Sequence, residues 1–138
     1  LRSITVIGLG PSGLGLVGET HRQILMDPQA VVVLRTLKHP AAAELAQSRS
    51  VESCDDLYDS QSDFDAVYEG IVERVVAFAS GSDVVYAVPG SALVGERAVA
   101  GLRTAGTDSG INVRILPSLS FLDLVYEAVD LDPIADGL

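Results

Sequence analysis

The stretch ITVIGLGPSG, Ile4 to Gly13, sets a β-branched apolar run directly against a glycine-rich turn. Ile4-Thr5-Val6-Ile7 has the length and composition of a buried strand, and glycines immediately after it permit a tight exit and close backbone approach by a ligand. Leu14 to Met26 then follows a helical pattern until Asp27-Pro28 stops it, because proline cannot continue a helix. Val31-Val32-Val33-Leu34 is a second strand, apolar on both faces, and belongs in a sheet interior with helices on each side. A strand, a helix and a second strand in this order form a βαβ unit, which makes the sheet parallel.

Working outward, the alternation continues. Pro40 opens a short helix through Ala41-Ala42-Ala43-Glu44-Leu45-Ala46, and Ser53 to Ser62 reads as a polar, acidic surface loop with one helical turn. Asp63 is placed to cap a long amphipathic helix in which Phe64, Val67, Tyr68, Ile71, Val72, Val75 and Val76 recur at three-and-four spacing and should face the core. Gly81 ends it. Asp83 to Val88 is a strand, Leu93 to Arg103 a helix, Asn112 to Leu116 a strand and Leu119 to Val129 a last helix. The expected fold is a three-layer α/β domain over residues 1–130, with a mainly parallel sheet of about five strands. Leu131 to Leu138, with Asp132-Pro133, reads as the start of a linker.

Composition narrows the function. At 138 residues, 48% hydrophobic and 20% charged, the chain suits one domain with one sizeable core. A net charge of −10 repels phosphate backbones and anionic lipid, which disfavours nucleic acid and membranes as partners. One cysteine, Cys54, forms no internal disulfide and has no basic neighbour in sequence to activate it, so an inert thiol and a cytoplasmic location are expected. No Cys/His cluster offers zinc ligands. No apolar run reaches the roughly 18 residues of a membrane span, and Leu1 to Gly8 is a strand pattern rather than a signal peptide.

In a parallel α/β sheet, ligands bind at loops leaving the carboxyl ends of strands. Gly8 to Gly13, Val88-Pro89-Gly90-Ser91-Ala92 and Leu116-Pro117-Ser118-Leu119-Ser120 are those loops here. The first satisfies G-x-G-x-x-G after a strand, the dinucleotide fingerprint. Its second half, an acidic residue about 20 positions on, is replaced by Leu34-Arg35-Thr36-Leu37-Lys38. NAD is disfavoured, while Arg35 and Lys38 leave an NADP-binding reading open. A plain tight turn is the structural alternative.

Together the loops say more. ITVIGLGPSG resembles the opening strand-GxGPG motif of the tetrapyrrole (corrin/porphyrin) methylases. VVYAVPGSALVGER, Val84 to Arg97, resembles their second loop, and VRILPSLSFLD, Val113 to Asp123, their IPG-x-S motif. LRTLKHP, Leu34 to Pro40, taken with VPGSALVGER, most resembles the methylase-like domain found ahead of a MazG-type nucleotide pyrophosphohydrolase in many bacterial proteins. The resemblance implies the amino-terminal lobe of an S-adenosylmethionine-dependent methyltransferase, whose cofactor lies in a cleft shared with a second, C-terminal α/β lobe. It further implies that Pro11 borders the cofactor, that Pro89, Gly90, Ser91 and Val94 line its methionine side, and that Ser120 and Phe121 complete the pocket. A small-molecule methyl acceptor is implied, with a tetrapyrrole as the family name suggests. The lobe alone is expected to be inactive. The chain departs from the family pattern at Gly90-Ser91-Ala92, where Gly-Asp-Pro is usual, at Ser118 and Ser12, where glycine is, and at Arg35-Thr36, where uroporphyrinogen methylases tend to carry an acid. A non-catalytic regulatory module attached to a MazG-type enzyme is therefore the alternative function.

Other candidates reduce to structural roles. His21 and His39 lack a second histidine or paired carboxylate at ligand spacing and read as surface or cap residues. Ser91 lacks the G-x-S-x-G elbow and a downstream histidine. Glu52, Asp55, Asp56, Asp59, Asp63 and Asp65 read as a solvated acidic face. Leu93, Val94, Leu119 and Phe121 should lie wet beside the cleft, which implies a homodimer or docking of the second lobe.

Overall fold

The computed structural model describes residues 2–137. Leu1 and Leu138, the outermost residues of the expected first-strand segment and linker, lie outside them. Five strands, β1 (Ser3–Gly8), β2 (Val31–Leu34), β3 (Glu52–Ser53), β4 (Val84–Val88) and β5 (Asn112–Leu116), pair in the order β3-β2-β4-β1-β5. Every pairing is parallel. The helices are α1 (Glu19–Leu25), α2 (Pro40–Ser48), α3 (Asp55–Ser60), α4 (Phe64–Ala79), α5 (Arg97–Ser109) and α6 (Phe121–Val129).

The sheet order explains the two cores. Crossovers from β1 to β2 and from β2 to β3 move one way along the sheet, and those from β3 to β4 and from β4 to β5 move the other way. Right-handed crossovers then place α1 and α2 on one face and α4 and α5 on the opposite one. Leu25, Ala41, Ala42 and Leu45 accordingly pack with Ile7, Val32, Leu34, Val85 and Ala87. On the other face, Val67, Ile71, Val75, Ala98, Val99 and Leu102 pack with Ile4, Val6, Val33, Val84, Tyr86 and Val88. The central strand β4 is buried throughout, as strands covered on both faces must be.

Four boundaries differ from the sequence reading. The expected helix from Leu14 splits into a single 3-10 turn, Leu14–Leu16, and α1, with Gly18 as the N-cap of the latter. Two glycines, Gly15 and Gly18, interrupt the stretch and lower its helical propensity. Within the supposed loop from Ser53 to Ser62 lie the end of β3 and the helix α3. The helix expected from Leu93 begins only at Arg97, since Gly95 at φ +70° cannot be helical, and it runs on to a left-handed Gly110. Leu119 and Ser120 precede α6 rather than belong to it, because Ser120 caps it in a capping box with Asp123. Asp63 does cap α4, its carboxylate accepting from the Ala66 N–H. Phe64, expected in the core stripe, instead sits exposed at the first position of α4 and stacks on Tyr68.

The acidic face is solvated as expected, with Glu52, Asp56, Asp59, Asp63 and Asp65 exposed and Asp55 half-buried, but it also makes bonds that the sequence does not show. Asp55 accepts hydrogen bonds from the Thr36 and Ser53 hydroxyls and the Leu37 N–H. Asp56 takes a two-pronged bond from Arg74, and Asp65 pairs with Arg97. While facing solvent, these carboxylates also fasten loops and helices. Among the described residues, no group of three or more His, Cys, Asp or Glu is placed to hold a metal ion. Among them, too, no helix is long and apolar enough to cross a membrane.

Candidate cofactor cleft at the carboxyl edge of the sheet

All the glycine- and proline-containing loops singled out in the sequence leave carboxyl ends of parallel strands, so they share one edge of the sheet. Hydrogen bonds fasten them together. Gly10 N–H donates to the Gly90 carbonyl at 3.0 Å, and Gly90 N–H returns the bond to Gly10 at 2.8 Å. Both residues have positive φ, +74° and +64°, which favours glycine at each. The Ser118 hydroxyl donates to the Gly8 carbonyl at 2.9 Å and ties the third loop to the first. Gly8 is required for a different reason: a Cβ there would stand 2.1 Å from the Gly90 carbonyl oxygen.

Around this junction the walls carry little charge. Pro11, Pro89 and Gly90 are half-buried, and Ser91 is buried with its hydroxyl accepting from the Leu93 N–H. Leu93 and Phe121 are each 58% exposed, and Val94 and Leu119 are exposed as well. A pocket of about 260 Å3 opens between the first and third loops, lined by Gly8, Leu16, Val17, Gly18, His21, Ser118 and Leu119. A larger groove of about 500 Å3 between α4 and α5 includes no residue of the first or third loop. Its Arg97 is held by Asp65 and lies over the Tyr68 ring.

A model of the family described as tetrapyrrole (corrin/porphyrin) methylases matches residues 3–137. The chain belongs to that family. It is 33% identical over 132 residues to the uncharacterized protein YabN of Bacillus subtilis (strain 168), covering 95% of this chain and 27% of that protein. Its fold is similar to that of uroporphyrin-III-C-methyltransferase from Thermus thermophilus, with a TM-score of 0.69 and 20% identity over 95% of this chain and 54% of that one. Cobalt precorrin-4 methyltransferase gives a TM-score of 0.67 at 17% identity over 94% of this chain and 51% of that one. Diphthine synthase gives 0.65 at 16% identity over 95% and 50%. The chain thus spans about half of these solved proteins and about a quarter of YabN.

Among the residues that the methylase resemblance marks, Pro11 follows Gly10, and Pro89 and Ser91 flank its partner Gly90, so these are brought together by the paired glycines. Ser120 is committed elsewhere: its hydroxyl accepts from the Leu122 N–H at the start of α6. Phe121 projects as the exposed first residue of that helix.

Sequence reasoning missed three residues that shape this edge. Glu96, whose side chain is only 4% exposed, pairs with Arg35, and burial pushes its carboxyl up to about 7 against the opposing pull of Arg35. Arg35 is therefore engaged by protein, which leaves only Lys38 of the two cations that an NADP phosphate was expected to meet. His39 occupies the N-cap position of α2, in keeping with the expected cap role, but its side chain makes no capping bond: the half-buried ring turns Nε2 to the Gly10 carbonyl at 3.0 Å. Because a carbonyl only accepts, Nε2 carries the proton. Burial, with Arg35 nearby, holds the His39 pKa below its ordinary value although the Gly10 bond pulls it up. Ser118, set down as a departure from the family glycine, supplies the bond to Gly8. The other histidine, His21, is half-buried and lines the 260 Å3 pocket. Cys54 conforms to expectation: it is fully buried, and burial pushes its thiol up to about 11.

Proposed function

We propose that this chain is the amino-terminal lobe of an S-adenosylmethionine-dependent methyltransferase and forms one wall of its cofactor cleft. The observation that carries the reading is the stitched junction of Gly8, Gly10, Gly90 and Ser118 at the carboxyl edge of the sheet. The residues present fit the cofactor. A Cβ at Gly90 would meet nothing within 4 Å, so the loop has an open side. Pro11, Pro89, Gly90, Ser91, Val94, Ser120 and Phe121 carry no charge, and neutral carbonyls and hydroxyls can accompany a zwitterion without a costly buried ion. A related fold, uroporphyrin-III C-methyl transferase from Thermus thermophilus, is known complexed with S-adenyl homocysteine.

Bound there, the cofactor would supply an electrophilic methyl group on sulfur. The chain's part is to orient it: rigid backbone at Gly10 and Gly90 fixes one wall, and Leu93, Val94, Leu119 and Phe121 exclude water once a second lobe covers them. A C-terminal lobe completes the cleft, which makes the isolated lobe inactive. The acceptor is a small molecule. A tetrapyrrole would need cations for its carboxylates, and with Arg35 and Arg97 already paired, Lys38 is the cation left near this edge. The protein works in the cytoplasm, without a nucleic-acid or membrane partner. Calorimetry of the full-length protein with S-adenosylhomocysteine tests the reading. A saturable heat is expected, and none at millimolar ligand would overturn it.

A second reading is favoured by one observation: the chain spans a far smaller share of YabN than of the solved methylases, so that relative has length beyond two lobes. The chain would then serve as a regulatory module attached to a MazG-type nucleotide pyrophosphohydrolase. Pyrophosphohydrolase activity of the full-length protein, altered by S-adenosylhomocysteine, is the result it expects.

A further inference from the structure

We infer that the segment leaving β2, Arg35 to His39, is a positioning clamp for both glycine loops, with Arg35 holding the second loop through Glu96 and His39 holding the first through the Gly10 carbonyl. The inference rests on the reading of this edge as the cofactor cleft.

The base of the clamp is rigid. Arg35 N–H donates to the Ala87 carbonyl at 2.9 Å, which carries the sheet pairing one residue past β2. Thr36 and the Leu37 N–H both donate to Asp55, and the Lys38 N–H donates to the Thr36 hydroxyl at 3.0 Å. Pro40 then starts α2 directly after His39. From this base two side chains reach the glycine loops.

The first arm ends on Glu96, the residue immediately before α5. The loop it closes is fastened at Gly90 by the exchange with Gly10, and Gly95, at positive φ, lies between that point and Glu96. Within it, only short-range bonds such as Val94 N–H to the Ser91 carbonyl at 3.2 Å add support. An ion pair with a nearly fully buried carboxylate at the loop's far end fixes where Pro89 to Val94 must lie.

The second arm converges on one atom. The Gly10 carbonyl accepts from the Gly90 N–H at 2.8 Å and from His39 Nε2 at 3.0 Å, which fills both of its lone pairs. His39 Nδ1 is buried with no partner. Burying an acceptor unpaired is costly, so an apolar side chain would serve packing better. What the imidazole adds is a donor at the distance of Gly10.

The test combines calorimetry with S-adenosylhomocysteine and amide hydrogen exchange by NMR at Gly10 and Gly90, on the full chain. In His39→Ala, exchange at both amides should quicken and binding weaken by about tenfold, the effect of one lost hydrogen bond. His39→Gln, whose amide nitrogen can occupy the place of Nε2, should recover both readouts. His39→Asn, one bond too short, should not, and this pair decides the matter if His39→Ala does not fold. Arg35→Lys should weaken binding while leaving Gly10 exchange unchanged. Equal behaviour of the Gln and Asn variants, or exchange unaltered in His39→Ala, would overturn the clamp. Absence of binding by the wild type would overturn the cofactor reading instead, and the exchange data would still decide the clamp.

Discussion

Gly10 and Gly90 exchange two backbone hydrogen bonds across the boundary of β1 and β4, each in the left-handed region, and so join two loops that lie 80 positions apart in the chain. β1 and β4 are neighbours whose outgoing crossovers leave toward opposite faces of the sheet. A crevice opens at such a point, and here the two glycines bridge it.

That geometry ranks substitutions. Gly90→Ala meets no atom and bears only the backbone strain of positive φ, about 1–2 kcal/mol. Gly10→Ala adds a tight approach to the Leu16 carbonyl oxygen at 3.3 Å and should cost somewhat more. Gly8→Ala drives a methyl against the Gly90 carbonyl and should be the worst, about 3 kcal/mol, with the loops displaced. Urea unfolding of the three variants should return this order.

Arg49 gives a second expectation. Its guanidinium donates to the carbonyls of Leu25, Asp27 and Ala30 at 2.7–2.8 Å and so fastens the end of α1 and the turn into β2. Arg49→Ala removes three charge-assisted bonds to the backbone and should destabilise the fold by about 2–3 kcal/mol. Arg49→Lys, a single point charge, should recover less than half of that loss in the same unfolding experiment.

Glu96 makes stability depend on pH. Its folded pKa, about 7, stands above its ordinary value of 4.5, so the folded state favours the protonated acid. The contribution of Glu96 is therefore fullest below pH 4.5 and is lost as pH rises toward 7, by up to about 3 kcal/mol. Glu96→Gln does not titrate. The stability difference between variant and wild type should shift toward the variant across that interval and flatten above it, and a constant difference from pH 4.5 to 8 would show that Glu96 has no raised pKa.

What was legible in the sequence is what is local. The strand-turn signature of Ile4 to Gly13, the three-and-four stripe of α4 and the doubly apolar β2 each declare themselves within about a dozen residues. The ordered loops are legible for the same reason, and they do share one edge of the sheet. The pairs that tie these loops together are not local: Arg35 and Glu96 are 61 positions apart, and Ser118 and Gly8 are 110 apart. β3 is a two-residue edge strand and has no periodicity to read. Glu96 also shows that a residue's type does not reveal its use, since it is a buried acid beside a solvent-facing loop, whereas the capping role of Ser120 could have been read from Ser120-Phe121-Leu122-Asp123.

The last expectation concerns assembly. Not one residue of α6 is buried, yet Phe121, Leu124, Val125 and Val129 on it are exposed, and Leu119 and Ile134 extend the apolar surface at either end. Covering even a few hundred Å2 of such surface at roughly 25 cal/mol per Å2 is worth several kcal/mol before the cost of association. The chain should therefore self-associate as a homodimer when no second lobe covers α6. A net charge of −10 opposes pairing, and salt screens that repulsion. Sedimentation velocity at rising salt should accordingly show growth of the dimer. Phe121→Ser combined with Val129→Ser, both outside the buried cores, should shift the chain to monomer without lowering its melting temperature. A strictly monomeric 14.4 kDa wild type at the highest soluble concentration would show that this surface is too small to pair two copies.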